Sequence, residues 1–132
     1  MDLETLASGR YLLLTTFRRD GTPVATPVWL VRRGDELLAF TATSAGKAKR
    51  LRNSGRVLLA PCDMRGRVTG DSVEGTARLQ DEAETAVTLG LIRRRYGLLG
   101  RLLFWWEGRR SSDLSADRRV GIAIRLDPPG SG

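Results

Sequence analysis

Histidine is missing from the chain altogether, and cysteine occurs once, at Cys62. Without histidine there is no Ser-His-Asp or Cys-His nucleophilic machinery, and the commonest metal ligand is gone. A single cysteine builds neither an intrachain disulfide nor a zinc site, so no metal is expected and nothing argues for export. Long apolar runs are lacking too. The longest, Leu102 to Trp106, falls far below the roughly 20 residues of a membrane span. The opening MDLETLASGR is acidic and does not follow the basic-then-apolar order of a signal peptide. The expectation is a cytoplasmic protein with no membrane partner, in which any redox chemistry falls to an organic cofactor.

What is present describes one globular domain over residues 1–132, with 127–132 as a flexible tail. Hydrophobic residues make up 41% and charged residues 28% of the 132, enough apolar surface for a real core. The formal charge of +7 predicts an anionic partner.

Local patterns outline the elements. Asp2 is placed to cap a short helix over Leu3 to Ala7, which Gly9 ends. Tyr11 to Arg18 reads as a strand, and Asp20-Gly21 is a hairpin signal. The next strand starts at Pro23. Pro23 and Pro27 cannot donate to a ladder, so its first half is assigned to an edge or bulge and Val28 to Val31 to the buried, paired part. Gly34-Asp35 turns into a third strand, Leu37 to Phe40. A fourth spans Val57 to Ala60, and the loop CDMRGRVTGD that follows is either solvated or ligand-facing. Ser72 to Gln80 alternates as a strand. Asp81 and Glu84 form a capping-box pattern, followed by a helix with Ala83, Val87, Leu91, Ile92 and Tyr96 on its buried face and Gly97 at its end. Leu98 to Trp106 is a further apolar helical segment, suited to core packing or to a subunit interface. RRSSDLSADRR reads as a loop and Val120 to Leu126 as the last strand. Six strands with tight turns predict an antiparallel sheet curled into a small barrel, mainly β (α+β), with helices outside.

The chain is organised around Leu37 to Pro61, LLAFTATSAGKAKRLRNSGRVLLAP. It reads as strand, tight turn, one or two turns of helix, strand. Ser44 is the expected N-cap. Exposed amides, the positive end of the helix dipole and the charge of Lys47 would make the turn an anion site. A plain solvated basic face has the same composition.

The ordered run YLLLTTFRRDGTPVATPVW, DELLAFTATSAGKAKRLRNSGRVLLAPCDMRGR and VEGTARL resembles the split β-barrel proteins related to pyridoxamine 5′-phosphate oxidase. Within that group it is similar to the F420-dependent oxidoreductases of actinobacteria. The resemblance implies a six-stranded antiparallel split β-barrel of the FMN-binding type with outer helices. It also implies a homodimer with the cofactor in a groove between subunits, and a small-molecule substrate. Phe40-Thr41 matches the strand end that touches the cofactor ring, and Lys47 matches the phosphate-binding lysine. Gly46 stands where the family has an arginine, a departure for which Ser44 and Arg50 would compensate. That departure favours F420, whose anionic tail is longer than one phosphate, with FMN as the alternative. The implied cofactor site comprises Pro27, Val28, Trp29, Thr41, Ala42, Thr43, Ser44, Lys47, Arg50 and Arg65, with Arg65 and Arg67 reaching from the partner subunit. No catalytic residue is assigned. The activity implied is hydride transfer between reduced F420 and an organic substrate.

Two further readings use the same residues. One is a non-catalytic cofactor carrier. The other is a nucleic-acid-binding barrel, against which the aromatics sit inside apolar runs and no RNP-like run appears, so no nucleic-acid partner is expected.

Overall fold

The structure, a computed structural model, describes residues 3–110 and 118–127, with side chains in 98–110 left aside. Its elements are α1 (Leu3–Ser8), β1 (Tyr11–Phe17), β2 (Pro23–Val28), β3 (Val31–Arg33), β4 (Glu36–Ala42), α2 (Gly46–Asn53), β5 (Arg56–Cys62), β6 (Val73–Leu79), α3 (Glu82–Arg110) and β7 (Arg119–Leu126). One antiparallel sheet of seven strands runs in the order β2-β1-β5-β6-β7-β4-β3. The two outermost strands, β2 and β3, are consecutive in the chain and joined only by Trp29 and Leu30. The sheet must therefore curl until its edges come together. The result is the expected split barrel, open where β2 and β3 are not paired to each other.

Seven strands replace the expected six because Val28 to Val31 is not one strand. β2 pairs with β1 along its whole length, from Phe17↔Pro23 to Leu12↔Val28, whereas β3 turns away to pair with β4. Pro23 and Pro27 share one parity on this edge strand, so their missing donors face away from β1 and cost no ladder bond. Between β3 and β4, Gly34 adopts φ 60° at the first central position of a two-residue turn, the conformation that a II′ hairpin demands there.

Core-facing residues alternate along the strands. Leu12, Leu14 and Thr16 of β1 are fully buried, as are Leu37 and Ala39 of β4, Val57 and Leu59 of β5, and Ile122 and Ile124 of β7. Leu6 of α1 and Leu51 of α2 join the same cluster. The expected Asp2 cap and tail residues 128–132 lie outside the described residues. So do residues 111–117 of the expected loop and the side-chain face of Leu98 to Trp106.

The capping box ahead of α3 is present. The Glu84 N–H donates to Asp81 Oδ1 at 2.8 Å and the Asp81 N–H to Glu84 Oε1 at 3.1 Å. Gly97, at φ 55° and ψ −139°, breaks α3 after Tyr96, where the first helix was expected to stop. The inward face differs from the apolar one expected. Ala83 is exposed and Val87 is 43% exposed, while Thr85, Thr88 and Ile92 are buried. The two threonines face inward because the helix sits over polar groups. Thr85 Oγ1 accepts the Gly121 N–H of β7 at 2.9 Å, and Thr88 Oγ1 meets Gln80 Oε1 at 2.5 Å.

The last residues before the break close the barrel. Leu30, 0% exposed, lies in the corner between β2 and β3, where no ladder neighbour serves its backbone. Tyr96 and Arg95 do so instead. The Tyr96 hydroxyl accepts the Leu30 N–H at 3.1 Å and donates to the Arg10 carbonyl at 2.5 Å. Arg95 donates from Nη1 to the Leu30 carbonyl at 2.6 Å, and from Nη2 to the carbonyls of Ala7 at 2.8 Å and Gly9 at 2.6 Å. Trp29 stacks on the Tyr96 ring with centroids 4.6 Å apart.

Two outcomes follow from these contacts. Tyr96→Phe keeps the stack but strands the buried Leu30 amide, so urea unfolding should show a loss of about 1–3 kcal/mol at unchanged m-value. An unaltered midpoint contradicts the clamp. The second concerns Glu84, whose carboxyl is held at about 2, below its usual 4.5, first by the Arg78 guanidinium and then by the Asp81 amide. A depressed folded pKa contributes stability that is full above about pH 4.5 and lost as pH falls toward about 2. The stability gap between wild type and Glu84→Gln should therefore narrow across that window; a gap that stays flat refutes the assignment.

Candidate functional site

The turn expected to take an anion is built where β4 runs out. Thr41, 6% exposed, is the last core-facing residue of β4. The Thr43 N–H extends the ladder to the Arg118 carbonyl at 2.8 Å, and the Ala45 N–H closes a turn on the Ala42 carbonyl at 3.0 Å. This turn aims the chain directly into α2. Its N-cap is Ala45, not the expected Ser44, and no side chain caps it. Ala45 holds the extended geometry, φ −67° and ψ 153°, that the capping position requires, one residue later than the hydroxyl pattern suggested. No acidic residue stands in the first turn. The positive end of the helix therefore has no carboxylate from its own element against it.

Arg50, one turn along α2, points back over this end. A Cβ on Gly46 would lie 2.6 Å from Arg50 Nη1, so the guanidinium fills the room that a side chain at position 46 would use. Arg50 Nε donates to Thr16 Oγ1 at 2.6 Å, which fixes the guanidinium against β1. Burial, and then the like charge of Arg18, push the Arg50 pKa below its usual value. Both causes act against a cation that an anion would stabilise. Thr16 was not singled out in the sequence. Its signal is a hydroxyl on the core parity, after Leu12 and Leu14.

A second group gathers at the other end of β1. Asp63 Oδ1 accepts the amides of Arg65 and Arg67, each at 2.9 Å, and curls the loop after β5 into a compact turn. That turn stands over β1 and β2: a Cβ on Gly66 would lie 3.7 Å from both Leu13 and Pro27. Arg65, in the same turn, is exposed. Val28 is buried at 8% exposed and faces the core, while Trp29 is engaged with Tyr96.

The expected residues thus form two groups. Thr41, Ala42, Thr43, Ser44, Lys47 and Arg50 cluster at the α2 end, and Pro27, Val28, Trp29 and Arg65 at the corner end. Pro27 pairs with Leu13 and Arg50 bonds to Thr16, three rows further along β1, or about 10 Å at strand rise. Leu13 and Thr16 point to opposite faces of β1, so the two groups are separated across the strand as well as along it. Among the described residues no group of three or more Cys, Asp or Glu is arranged to hold a metal. No described helix is long and apolar enough to cross a membrane.

The profile of the pyridoxamine 5′-phosphate oxidase family matches residues 3–120. No curated protein matches. Among solved structures, the chain is similar to an F420 reductase at 22% identity and TM-score 0.60, covering 95% of this chain and 93% of that one. It is similar to a FAD-binding protein from Mesorhizobium loti at 19% identity and TM-score 0.63, covering 95% and 86%. A conserved hypothetical protein from Mycobacterium tuberculosis reaches 23% identity and TM-score 0.63, covering 96% and 84%. Identities at this level establish a shared fold.

The Thr16 bond gives a direct check on the anion turn. Thr16→Val keeps the shape of the core and removes the acceptor of a charged donor, so thermal or urea unfolding should register a loss of about 1–3 kcal/mol. No loss would mean that Arg50 is not held in place from β1.

Proposed function

The chain belongs to the pyridoxamine 5′-phosphate oxidase family, and on that premise we propose that it is an oxidoreductase whose flavin-type cofactor is the deazaflavin F420. The observation that carries the reading is the α2 N-terminal turn. An uncapped helix start, Lys47 on its first turn and Arg50 laid over Gly46 make a site for an oxyanion at the end of a core strand. Gly46 replaces the arginine of the family pattern, and Arg50 delivers a guanidinium to the same room from the opposite direction. The exposed Lys49 and Arg52 continue the positive charge along α2, which favours a cofactor with several negative groups over FMN with one phosphate. Similarity to an F420 reductase and to a FAD-binding protein supports a flavin-type cofactor in general.

When bound, the deazaflavin supplies hydride transfer to or from an organic small molecule. The protein's residues do the rest. Lys47, Arg50 and the first amides of α2 hold the anionic part, with Thr41, Ala42, Thr43 and Ser44 shaping the strand end. Pro27, exposed on β2, offers an apolar edge for the ring near the Trp29–Tyr96 stack, while Val28 behind it packs in the core. Desolvation and positioning are the protein's contribution to rate.

The working unit is a homodimer. The outward rows Pro27–Leu13–Ala60 and Ala25–Thr15–Leu58 make an apolar strip across β2, β1 and β5, of the kind that subunit contacts cover. Arg65, in the turn that covers Leu13 and Pro27, is the residue that would reach across to the partner's cofactor.

Titration with F420 and FMN side by side tests the reading. F420 should bind at least about tenfold tighter at low salt, and its advantage should shrink as salt rises because the extra contacts are screened. Lys47→Ala should weaken either cofactor by about 1.5–3 kcal/mol while leaving the unfolding midpoint in place. Light scattering should give twice 14.5 kDa. Tighter FMN binding, or identical salt responses, would make this an FMN protein. Unchanged affinity for both cofactors in Lys47→Ala would remove the turn as the anion site.

A further inference from the structure

The opposite end of α2 carries a feature that the cofactor reading leaves unused. A cavity of about 400 Å³ opens between the β1–β2 hairpin and the α2–β5 connection, lined by Phe17, Arg18, Arg19, Gly21, Asn53, Ser54 and Arg56. Three of these seven are arginines. Among the described residues, no ion pair engages Arg18 or Arg19. The nearby carboxylates are weak competitors. Asp20 is turned into its own hairpin, accepting the Thr22 N–H at 2.9 Å, and Glu74 meets Arg56 Nη2 only at 3.7 Å, with both side chains more than half exposed. Arg56 is nevertheless oriented, because its guanidinium lies 4.6 Å from the centroid of the Phe17 ring.

We propose that this cavity is an oxyanion-binding site, separate from the α2 N-terminal turn, that takes a phosphate or carboxylate group of a small molecule on Arg18, Arg19 and Arg56. Asn53 and Ser54 are the neutral donors. The Ser54 oxygen accepts the Arg56 N–H at 3.3 Å, so its own proton is directed elsewhere, and its N–H covers the Arg50 carbonyl at 3.0 Å. The carbonyl end of α2 carries about half a negative charge, against three full positive charges from the guanidinium groups, so the local field favours an anion. α2 has eight residues, which sets the cavity about 12 Å from the Lys47 turn. A single phosphate cannot serve both places. The two-arginine proximity of Arg18 and Arg50 links the sites electrostatically, but no lining residue is shared.

The test is a ¹⁵N NMR titration of the full chain at fixed ionic strength, with inorganic pyrophosphate in one arm and citrate in the other. The two arms separate a phosphate site from a carboxylate site. Saturable shifts at the Gly21 and Ser54 amides are expected in at least one arm. Arg18→Gln and Arg56→Gln should each weaken that binding about fivefold or more, while Lys47→Ala leaves it unchanged. If neither probe saturates by about 10 mM, the site is no more than a loose ionic atmosphere and the proposal fails. It also fails if Lys47→Ala removes the same shifts, since the cavity would then be an outlying part of the α2 turn. Neither result depends on which cofactor the protein uses.

Discussion

The barrel depends on the backbone of one residue, Leu30. Its amide and carbonyl are buried at the point where the sheet changes from β2 to β3, and neither strand can serve them. A buried unpaired peptide group costs about 1–3 kcal/mol for each half. The Arg95–Tyr96 pair removes that cost and binds Ala7, Gly9 and Arg10 in the same gesture. One pair of side chains on α3 thus fastens the end of α1, the start of β1 and the corner of the sheet. Burial raises the Tyr96 phenol above its ordinary pKa, so it stays a neutral hydroxyl able to donate and accept at once.

This closure also places the candidate site. With the corner fixed, Trp29 lies flat on Tyr96, and the turn after Cys62 settles over Leu13 and Pro27. β1 connects the two ends, with Leu13 on its outer face and Thr16 on its core face. Its Leu13 position faces the apolar corner, and its Thr16 position anchors Arg50 beneath the α2 turn. The separation between apolar and cationic groups is therefore set by strand geometry, and not by flexible loops.

Features encoded within a few residues were legible in the sequence. The Asp20-Gly21 and Gly34-Asp35 turns, the Asp81/Glu84 capping box and the Gly97 break each act through their immediate neighbours, and each stands where the pattern put it. The corner was not legible, because Val28-Trp29-Leu30-Val31 is uniformly apolar and its partners lie some 65 positions away. The inward face of α3 was legible only in part: Ile92 is buried as expected, but Thr85 and Thr88 point to the core to bond Gly121 and Gln80 where the apolar stripe had put Ala83 and Val87. At the candidate site, the strand–turn–helix order of Thr41 to Lys47 was legible from its residue types. The one-residue shift of the cap to Ala45, and the reach of Arg50 over Gly46, depend on three-dimensional packing that no spacing rule records.

The central functional claim is that one cofactor has its anionic part on the α2 turn and its ring at the corner. The most direct measurement is a crystal structure of the protein with F420 bound. The account predicts an anionic group within hydrogen-bonding distance of Lys47 and Arg50 and the deazaflavin ring against Pro27. A ring seated elsewhere, or an anionic group held away from the start of α2, would contradict it.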